Sequence, residues 1–334
     1  MKFFKYFLVI LIIFAAILII RSKFQVSPQE IAQLFKEADK SLIVFVIGFQ
    51  TLCYFSDGWL SKIILRIVGF NISLRDTVKV AILGVLGSQM TPVIGGTVIT
   101  YYFFRKLKLP SNIILFLVAT WAIFVWFNYF LFFVLSLPFL SRQFLNQVFS
   151  KSILITSIII LLFLILVFFL FRKKGKNFLS ILNFFVKAIN GAGKYFRKTA
   201  LIGPENPKIF ISNFYKNIEF LSAKKRESAK ALFAFFLLYF GAIATLYFSF
   251  LVFGYQPDLA RLIFGFTAVS LITGFTFIPV TPGLMEVSLA AVFASVGFPA
   301  HISLFSSLLY RLFSYWLPLL LGFFFVFKSK KQRF

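Results

Sequence analysis

A single arginine lies deep inside a long apolar stretch near the end of the chain. Arg311 follows the start of the stretch Ile302 to Phe327 by about 14 Å, at ~1.5 Å per helical residue. An unpaired guanidinium at that depth costs roughly 2.5 to 3.5 kcal/mol, so it should face an anion or a wet cavity. Glu286 is the nearest acid in the sequence. It is either a structural partner of Arg311 or the counter-charge of an arginine that binds phosphate, and the sequence leaves both open.

Two apolar segments are interrupted by Thr-Pro followed by Gly. Proline lacks a backbone donor and glycine tolerates unusual dihedral angles, so each segment should break into two half-helices. Unpaired amides inside a bilayer are tolerated only where they are buried in protein or line a wet cavity. We therefore predict substrate-binding residues at both breaks, although such clusters can also kink helices for packing alone. The first segment, Thr77 to Thr100, contributes Gln89, Thr91, Pro92, Gly95 and Gly96, and the second, Leu262 to Val296, contributes Thr281, Pro282, Gly283 and Glu286.

The composition that surrounds these residues is that of an integral membrane protein. Hydrophobic residues make up 60% of the chain and charged residues 13%, against roughly 25% charged in soluble domains. Six uninterrupted apolar stretches approach or exceed the ~20 residues that span a bilayer. They are Phe3 to Ile20, Ser41 to Leu60, Ile113 to Leu137, Ile153 to Phe171, Ala231 to Gly254 and Ile302 to Phe327. We predict one all-α transmembrane domain over residues 1–334, with six full spans and two broken re-entrant hairpins.

The distribution of basic residues predicts the orientation of these spans. If both broken segments are re-entrant, most of the 35 lysines and arginines fall on one side, including those of the loop 172–230. The positive-inside rule then predicts that both termini are cytoplasmic in the cell membrane. The two hairpins would enter from opposite sides, which outlines an inverted repeat. Such repeats place substrates near the midplane, where half-helix N-termini face anionic groups.

The net charge of +25 has a simple explanation in such a protein. Basic residues collect beside cytoplasmic helix ends and anionic headgroups, so the predicted partners are membrane lipids and not nucleic acid. The loop 172–230 carries an apolar pattern at helical spacing from Phe178 to Ile189, which indicates a basic interfacial helix. Cys53 is the only cysteine, which excludes an intrachain disulfide. We predict no cofactor and no metal.

A short surface helix is predicted after the first span. Ser27 is the predicted N-cap, Pro28 occupies the first helical position, and Glu30 is the glutamate of a capping box. Apolar residues then line one face of the helix, from Ile31 to Ala38. We expect this helix to lie on the outer membrane surface.

Three elements of the sequence resemble the lysylphosphatidylglycerol synthase transmembrane (flippase-like) family. Tyr310-Arg311 and the run Tyr315 to Gly322 are similar to its last-span signature. The segment Pro279 to Glu286 resembles its Pro-x-Thr-Pro-Gly-Gly-Leu-Gly-x-x-Glu break with a shorter turn, and Thr91-Pro92 to Gly96 resembles an earlier Pro-x-x-Gly-Gly element.

The resemblance covers nearly the whole chain and implies a function. It implies a stand-alone flippase, without the synthase domain, that moves a lipid between leaflets. The lipid would be an anionic phospholipid, an aminoacylated one included, or a polyprenyl-linked lipid. The resemblance also adds Tyr310 and Tyr315 to the predicted substrate-binding residues.

Two other classes of function stay open. The first is a non-transporting membrane partner of a glycosyltransferase or lipid synthase. The second is a membrane-embedded enzyme, which is disfavoured because His301, the only histidine, sits at a predicted outer boundary. Glu37 and Asp39 form an acidic pair of the kind that glycosyltransferases use on lipid-linked sugars, but the pair equally suits a solvated helix face. We predict a transporter and not an enzyme.

Overall fold

The computed structural model describes residues 28–90, 95–140, 207–275 and 284–322, and these residues contain helices and no strands. In chain order the helices are α1 (Pro28–Glu37), α2 (Ile43–Ile67, preceded by a 3-10 turn at Lys40–Leu42), α3 (Leu74–Met90), α4 (Gly95–Lys106), α5 (Ser111–Ser136), α6 (Pro207–Ala223), α7 (Lys225–Val252), α8 (Leu259–Phe275), α9 (Leu284–Ser295) and α10 (Ala300–Arg311). The last of these continues through a π-helical turn, Leu312–Trp316, so that one helical stretch runs from Ala300 to Gly322.

Four helical stretches among the described residues are long and apolar enough to cross a membrane. They are Lys40–Ile67, Ser111–Phe139, Lys225–Val252 and Ala300–Gly322, and they confirm four of the six predicted spans as helices. The stretch Lys40–Ile67 continues beyond its predicted end at Leu60, and Lys225–Val252 begins before its predicted start at Ala231. Lys, Arg and Glu are good helix formers, so they continue the helix beyond the apolar residues. The predicted spans Phe3 to Ile20 and Ile153 to Phe171 lie outside the described residues.

The first broken segment forms a pair of packed helices, α3 and α4. A Cβ placed on Gly84 would lie 3.1 Å from Oγ1 of Thr100. One continuous helix would separate these residues by about 24 Å, at ~1.5 Å per residue. The chain therefore reverses direction between α3 and α4. Residues 91–94, which include Thr91 and Pro92, lie outside the described part.

The second broken segment forms a similar pair from α8 and α9. A Cβ on Gly265 would lie 2.8 Å from Cε1 of Phe293, although a continuous helix would separate the two residues by about 42 Å. After α9 the chain turns at Gly297, whose φ of +94° is one that glycine adopts readily, and α10 packs back against α9. Residues 276–283 lie outside the described part.

The described residues divide into two compact units. The first contains 28–51, 132–139, 240–275 and 284–317. Its core includes Val46, Val252 and Phe253, against which Leu34 and Ala38 pack. The predicted short helix beginning at Pro28 is thus confirmed as α1, and part of its apolar face covers the protein core. The backbone N–H of Asp39 donates to Val252 O at 2.8 Å and fixes the end of this segment.

The second unit contains residues 52–90, 95–131, 140, 207–239 and 318–322. Its core gathers buried side chains from α2, α4 and α5, including Ile64, Phe104 and Phe116. Helix α6 falls within the basic loop 172–230 and adds Phe214 to this core. The Nζ of Lys224 donates to Ile67 O at 2.8 Å, so one lysine of the loop caps the end of α2. The predicted interfacial helix from Phe178 to Ile189 lies outside the described residues.

Candidate functional site

Arg311 lies at the centre of the last long helix. It is eleven positions after Ala300 and eleven before Gly322, which places it about 17 Å from either end at ~1.5 Å per residue. Its side chain is only 16% exposed. The guanidinium is therefore largely buried and far from both ends of the helix, which agrees with the position that the sequence predicted.

A π-helical turn begins immediately after Arg311. Leu317 N–H donates to Leu312 O five residues earlier, in place of the usual four. Pro318 explains this turn, because its ring would clash with the carbonyl four residues before it and it has no N–H to donate. Single π turns recur at functional sites because they shift the helical phase locally. Pro318 is thus the signal for this turn in the sequence, although no π turn was predicted from it.

The π turn carries an aromatic partner for Arg311. The guanidinium carbon lies 4.2 Å from the ring centroid of Tyr315, a cation–π geometry. The tyrosine is 2% exposed and also packs edge-to-face against Trp316. The buried ring thus lies directly against the guanidinium of Arg311.

Glu286 supplies the opposite charge from α9. Its Oε1 lies 3.4 Å from Nε of Arg311, and its side chain is 3% exposed. It is the third residue of α9 and lies in the first turn, where the positive end of the helix dipole favours a carboxylate. The structure therefore places Glu286 and Arg311 in contact, the pairing that their positions in the sequence suggested.

The contact between the two charges is loose. Charge-assisted N–H···O bonds usually measure about 2.7–2.9 Å, and this one is longer and uses a single nitrogen. Within the described residues, Nε is the one nitrogen of Arg311 that donates a hydrogen bond. The two terminal NH₂ groups, which form the edge that binds a phosphate or carboxylate in two places, have no hydrogen-bond partner in the described part of the chain.

Buried serines precede Arg311 on the same helix. Ser303, Ser306 and Ser307 are fully buried, and their hydroxyls have no hydrogen-bond partner in the described part of the chain. Ser303 and Ser307 lie two turns and one turn before Arg311 on the same face. Small residues at such positions let neighbouring helices approach closely in membranes. The four-residue spacing of Ser303 and Ser307 is visible in the sequence, although neither residue was among the predicted site residues.

The other predicted site residues fall into two groups. Among those described, Tyr310 packs its ring edge-to-face against Phe266 at 6.0 Å, Gln89 lies near the end of α3, and Gly95 and Gly96 begin α4. Of the twelve predicted residues the structure thus brings together Glu286, Arg311 and Tyr315, all in the first unit. The remaining five, Thr91, Pro92, Thr281, Pro282 and Gly283, lie outside the described residues.

The acidic pair near α1 has local structural contacts. Asp39 caps the following 3-10 turn by accepting from Ser41 N at 3.0 Å and Ser41 Oγ at 2.6 Å. Glu37 accepts from Gln33 Nε2 at 2.8 Å. All three bonds are exposed, which fits a solvated helix face. No group of three or more His, Cys, Asp or Glu that could hold a metal occurs among the described residues.

Fold and site together define a helical, multi-span membrane protein with an opposite-charge pair halfway along a membrane-length helix. The family profile described as lysylphosphatidylglycerol synthase TM region matches residues 6–322. The chain belongs to this family. No curated protein matched the chain in a sequence comparison.

Proposed function

We propose that this protein moves a lipid with an anionic headgroup between the two leaflets of the cell membrane. The substrate would be an anionic phospholipid, aminoacylated or not, or a polyprenyl-linked lipid, whose phosphate has the same chemistry. Membership of a family named for a lipid synthase supports a role in lipid biology. The observation that carries the proposal is the terminal edge of Arg311, which lies at the centre of the last helix and has no hydrogen-bond partner among the residues that the structure describes.

The charges of the site suit transient binding of phosphate. A guanidinium presents paired N–H donors that match two phosphate oxygens. When no lipid is present, the carboxylate of Glu286 offsets part of the free energy needed to keep the guanidinium of Arg311 charged inside an apolar helix. Because their contact is loose at 3.4 Å, a phosphate need not break a strong ion pair to bind. Tyr315 keeps the guanidinium oriented during the exchange of partners.

The two helix pairs are the elements that we propose to re-enter the membrane. The two helices in each pair, α3 with α4 and α8 with α9, have at most 17 residues each. These lengths fall short of the ~20 residues of a full span. We propose that the pairs enter from opposite faces as an inverted repeat, which is the arrangement that places substrate near the midplane in secondary transporters.

Leaflet exchange in proteoliposomes tests the proposal. The purified protein is reconstituted with a panel of labelled lipids that carry anionic, zwitterionic, aminoacylated or polyprenyl-phosphate headgroups, and exposure of each label to an impermeant quencher is followed in time. We expect exchange of at least one phosphate-bearing lipid. Arg311→Gln should slow it roughly ten- to hundredfold, the worth of a hydrogen bond to a charged group.

Arg66→Gln is the matched control, because Arg66 is an exposed arginine at the end of α2. It should exchange lipid at the wild-type rate. Wild-type rates in folded Arg311→Gln would remove Arg311 from the mechanism. If the wild-type protein exchanged no lipid, the non-transporting partner of a glycosyltransferase or lipid synthase would become the better proposal. Sugar or aminoacyl transfer in the same vesicles would favour the enzyme instead.

A further inference from the structure

Two of the fully buried serines lie on the face of α10 that carries Arg311. Ser303 and Ser307 precede Arg311 by eight and four residues, which is about 12 and 6 Å along the axis at ~1.5 Å per residue. Both are 0% exposed, and neither hydroxyl has a hydrogen-bond partner in the described part of the chain. A buried hydroxyl without a partner destabilises the folded state. The two serines therefore need an explanation other than stability.

Other buried hydroxyls of the first unit show what a serine or threonine in a helix normally does. Thr245, Ser249 and Thr267 are buried to the same degree, and each donates to the backbone carbonyl four residues earlier at 2.7 Å. This bond is one that helical serines and threonines commonly make. Ser303 and Ser307 do not make it. Each thus keeps a donor that a ligand can use without first breaking a bond within the helix.

Helix α9 covers this face of α10. The two helices pack as an antiparallel pair, and the contact between Glu286 and Arg311 sets their register. Four residues along each helix from that contact, Ala290 of α9 lies opposite Ser307 and is 0% exposed. A methyl group offers the hydroxyl no hydrogen bond. It also buries little apolar surface, so separating the helices here costs less than separating larger side chains.

A second arginine lies beside the turn that joins α9 to α10. A Cβ on Gly297 would lie 3.3 Å from Nη1 of Arg261, the third residue of α8. Arg311 lies one helical turn beyond Ser307. A guanidinium therefore stands at each end of the segment that contains the two serines. Arginine is the side chain that matches phosphate with paired donors.

We propose that Ser303 and Ser307 bind the phosphate of the transported lipid as it passes between the Gly297 turn and Arg311, when α9 moves away from α10. This inference rests on the proposed function. Each hydroxyl donates to a phosphate oxygen, and such a charge-assisted bond is stronger than a neutral one. The phosphate thus keeps hydrogen-bond donors in an apolar interior where an unpaired charge is costly. For helix packing alone, alanine would allow an equally close approach.

Substitution by alanine separates binding from packing. Ser303→Ala and Ser307→Ala each remove a hydroxyl that has no partner, so the midpoint of thermal unfolding in detergent should equal or exceed that of the wild type. Each variant should nevertheless slow leaflet exchange of a labelled anionic phospholipid roughly three- to tenfold, the worth of one hydrogen bond. A lowered midpoint would assign the serines to packing and overturn the inference.

Ser306→Ala is the matched control. Ser306 is equally buried and its hydroxyl likewise has no partner in the described part of the chain. It lies about 140° around the axis from Arg311, outside the proposed path. This variant should exchange lipid at the wild-type rate. Wild-type rates in either Ser303→Ala or Ser307→Ala, or equal slowing in Ser306→Ala, would overturn the inference and leave the proposed function standing.

Binding of a short-chain lipid tests the serines without transport. Dihexanoyl phosphatidic acid, which carries the phosphate, should raise the unfolding midpoint of the full chain in detergent, whereas dihexanoylglycerol, which lacks it, should not. The concentration that gives half of this shift should rise roughly three- to tenfold in Ser303→Ala and Ser307→Ala and stay unchanged in Ser306→Ala. A shift that does not depend on the two serines would overturn the inference. A wild-type protein that binds this lipid through the serines but moves none between leaflets would overturn the proposed function alone and keep the serines as a phosphate site.

Discussion

Arg311 has two partners of different kinds, and they can be separated by mutation. Glu286 provides charge through a single long contact, and Tyr315 provides a ring face 4.2 Å away. The carboxylate lowers the energy of the charged guanidinium, while the ring restrains its orientation. The aromatic contact is the one that can be removed without leaving a buried charge unpaired.

Removal of the ring should weaken lipid exchange measurably. A partly desolvated cation–π contact contributes about 1–2 kcal/mol. We therefore expect Tyr315→Leu to slow exchange of an anionic lipid roughly five- to thirtyfold, and Tyr315→Phe, which keeps the ring, to stay within about twofold of the wild type. Quencher-accessibility rates of the two variants, compared at equal reconstitution, check this. Equal rates for the two variants would argue against the stacking role.

At the scale of helices, one close approach joins α2 to α3. A Cβ on Gly58 would lie 2.7 Å from both Cα and N of Val78. These are backbone atoms, so no side-chain rotation can relieve the clash. Gly48 on the same helix has nothing within 4 Å of such a Cβ. The two glycines therefore provide a matched pair for testing the packing of these helices.

Gly58→Ala should destabilise the protein and Gly48→Ala should not. Overpacking of this kind costs about 1–3 kcal/mol, so we expect a clearly lower midpoint for thermal unfolding in detergent for Gly58→Ala. The midpoint of Gly48→Ala should match the wild type or exceed it, because alanine is the better helix former. An unchanged midpoint for Gly58→Ala would mean that α2 and α3 are further apart than described.

The reversal between α3 and α4 can be tested by a disulfide. The contact of 3.1 Å between a Cβ on Gly84 and Oγ1 of Thr100 is within reach of one. On a Cys53→Ser background, Gly84→Cys with Thr100→Cys should lose its two maleimide-reactive thiols after mild oxidation and regain them after reduction. Thr100→Cys alone is the control and should keep its single thiol. A failure of the pair to close would favour one continuous helix through residues 91–94.

At the scale of the whole molecule, labelling from one side decides which ends of the helices face the cytoplasm. The positive-inside rule predicts that Lys106 is cytoplasmic and that the exposed Gln256, between α7 and α8, is outside. We expect an impermeant maleimide to label Gln256→Cys on intact cells and Lys106→Cys only after lysis, both on the Cys53→Ser background. The reverse pattern would invert the predicted topology and place both termini outside.

Much of the fold was readable from the amino acids alone. Membrane insertion depends on hydrophobicity summed over about 20 consecutive residues, so a local pattern is enough to locate a span. The same reasoning located the two interruptions, because proline and glycine act on the backbone where they stand. It also showed that Arg311 requires a partner, since a buried charge is costly wherever the chain leads.

Contacts between helices could not be read in this way. Trp121 donates a hydrogen bond to Asp57, which is 64 residues away, and Arg311 contacts Glu286, which is 25 residues away. The looseness of the charge pair and the exposure of the guanidinium edge toward a ligand follow from how the helices pack, whereas the π turn next to Tyr315 has a local cause in Pro318. Each such contact is worth about 1 kcal/mol and depends on side-chain geometry that no local pattern records. Composition therefore predicted a membrane protein with a charge in its interior, and the packing of the helices showed how that charge is held.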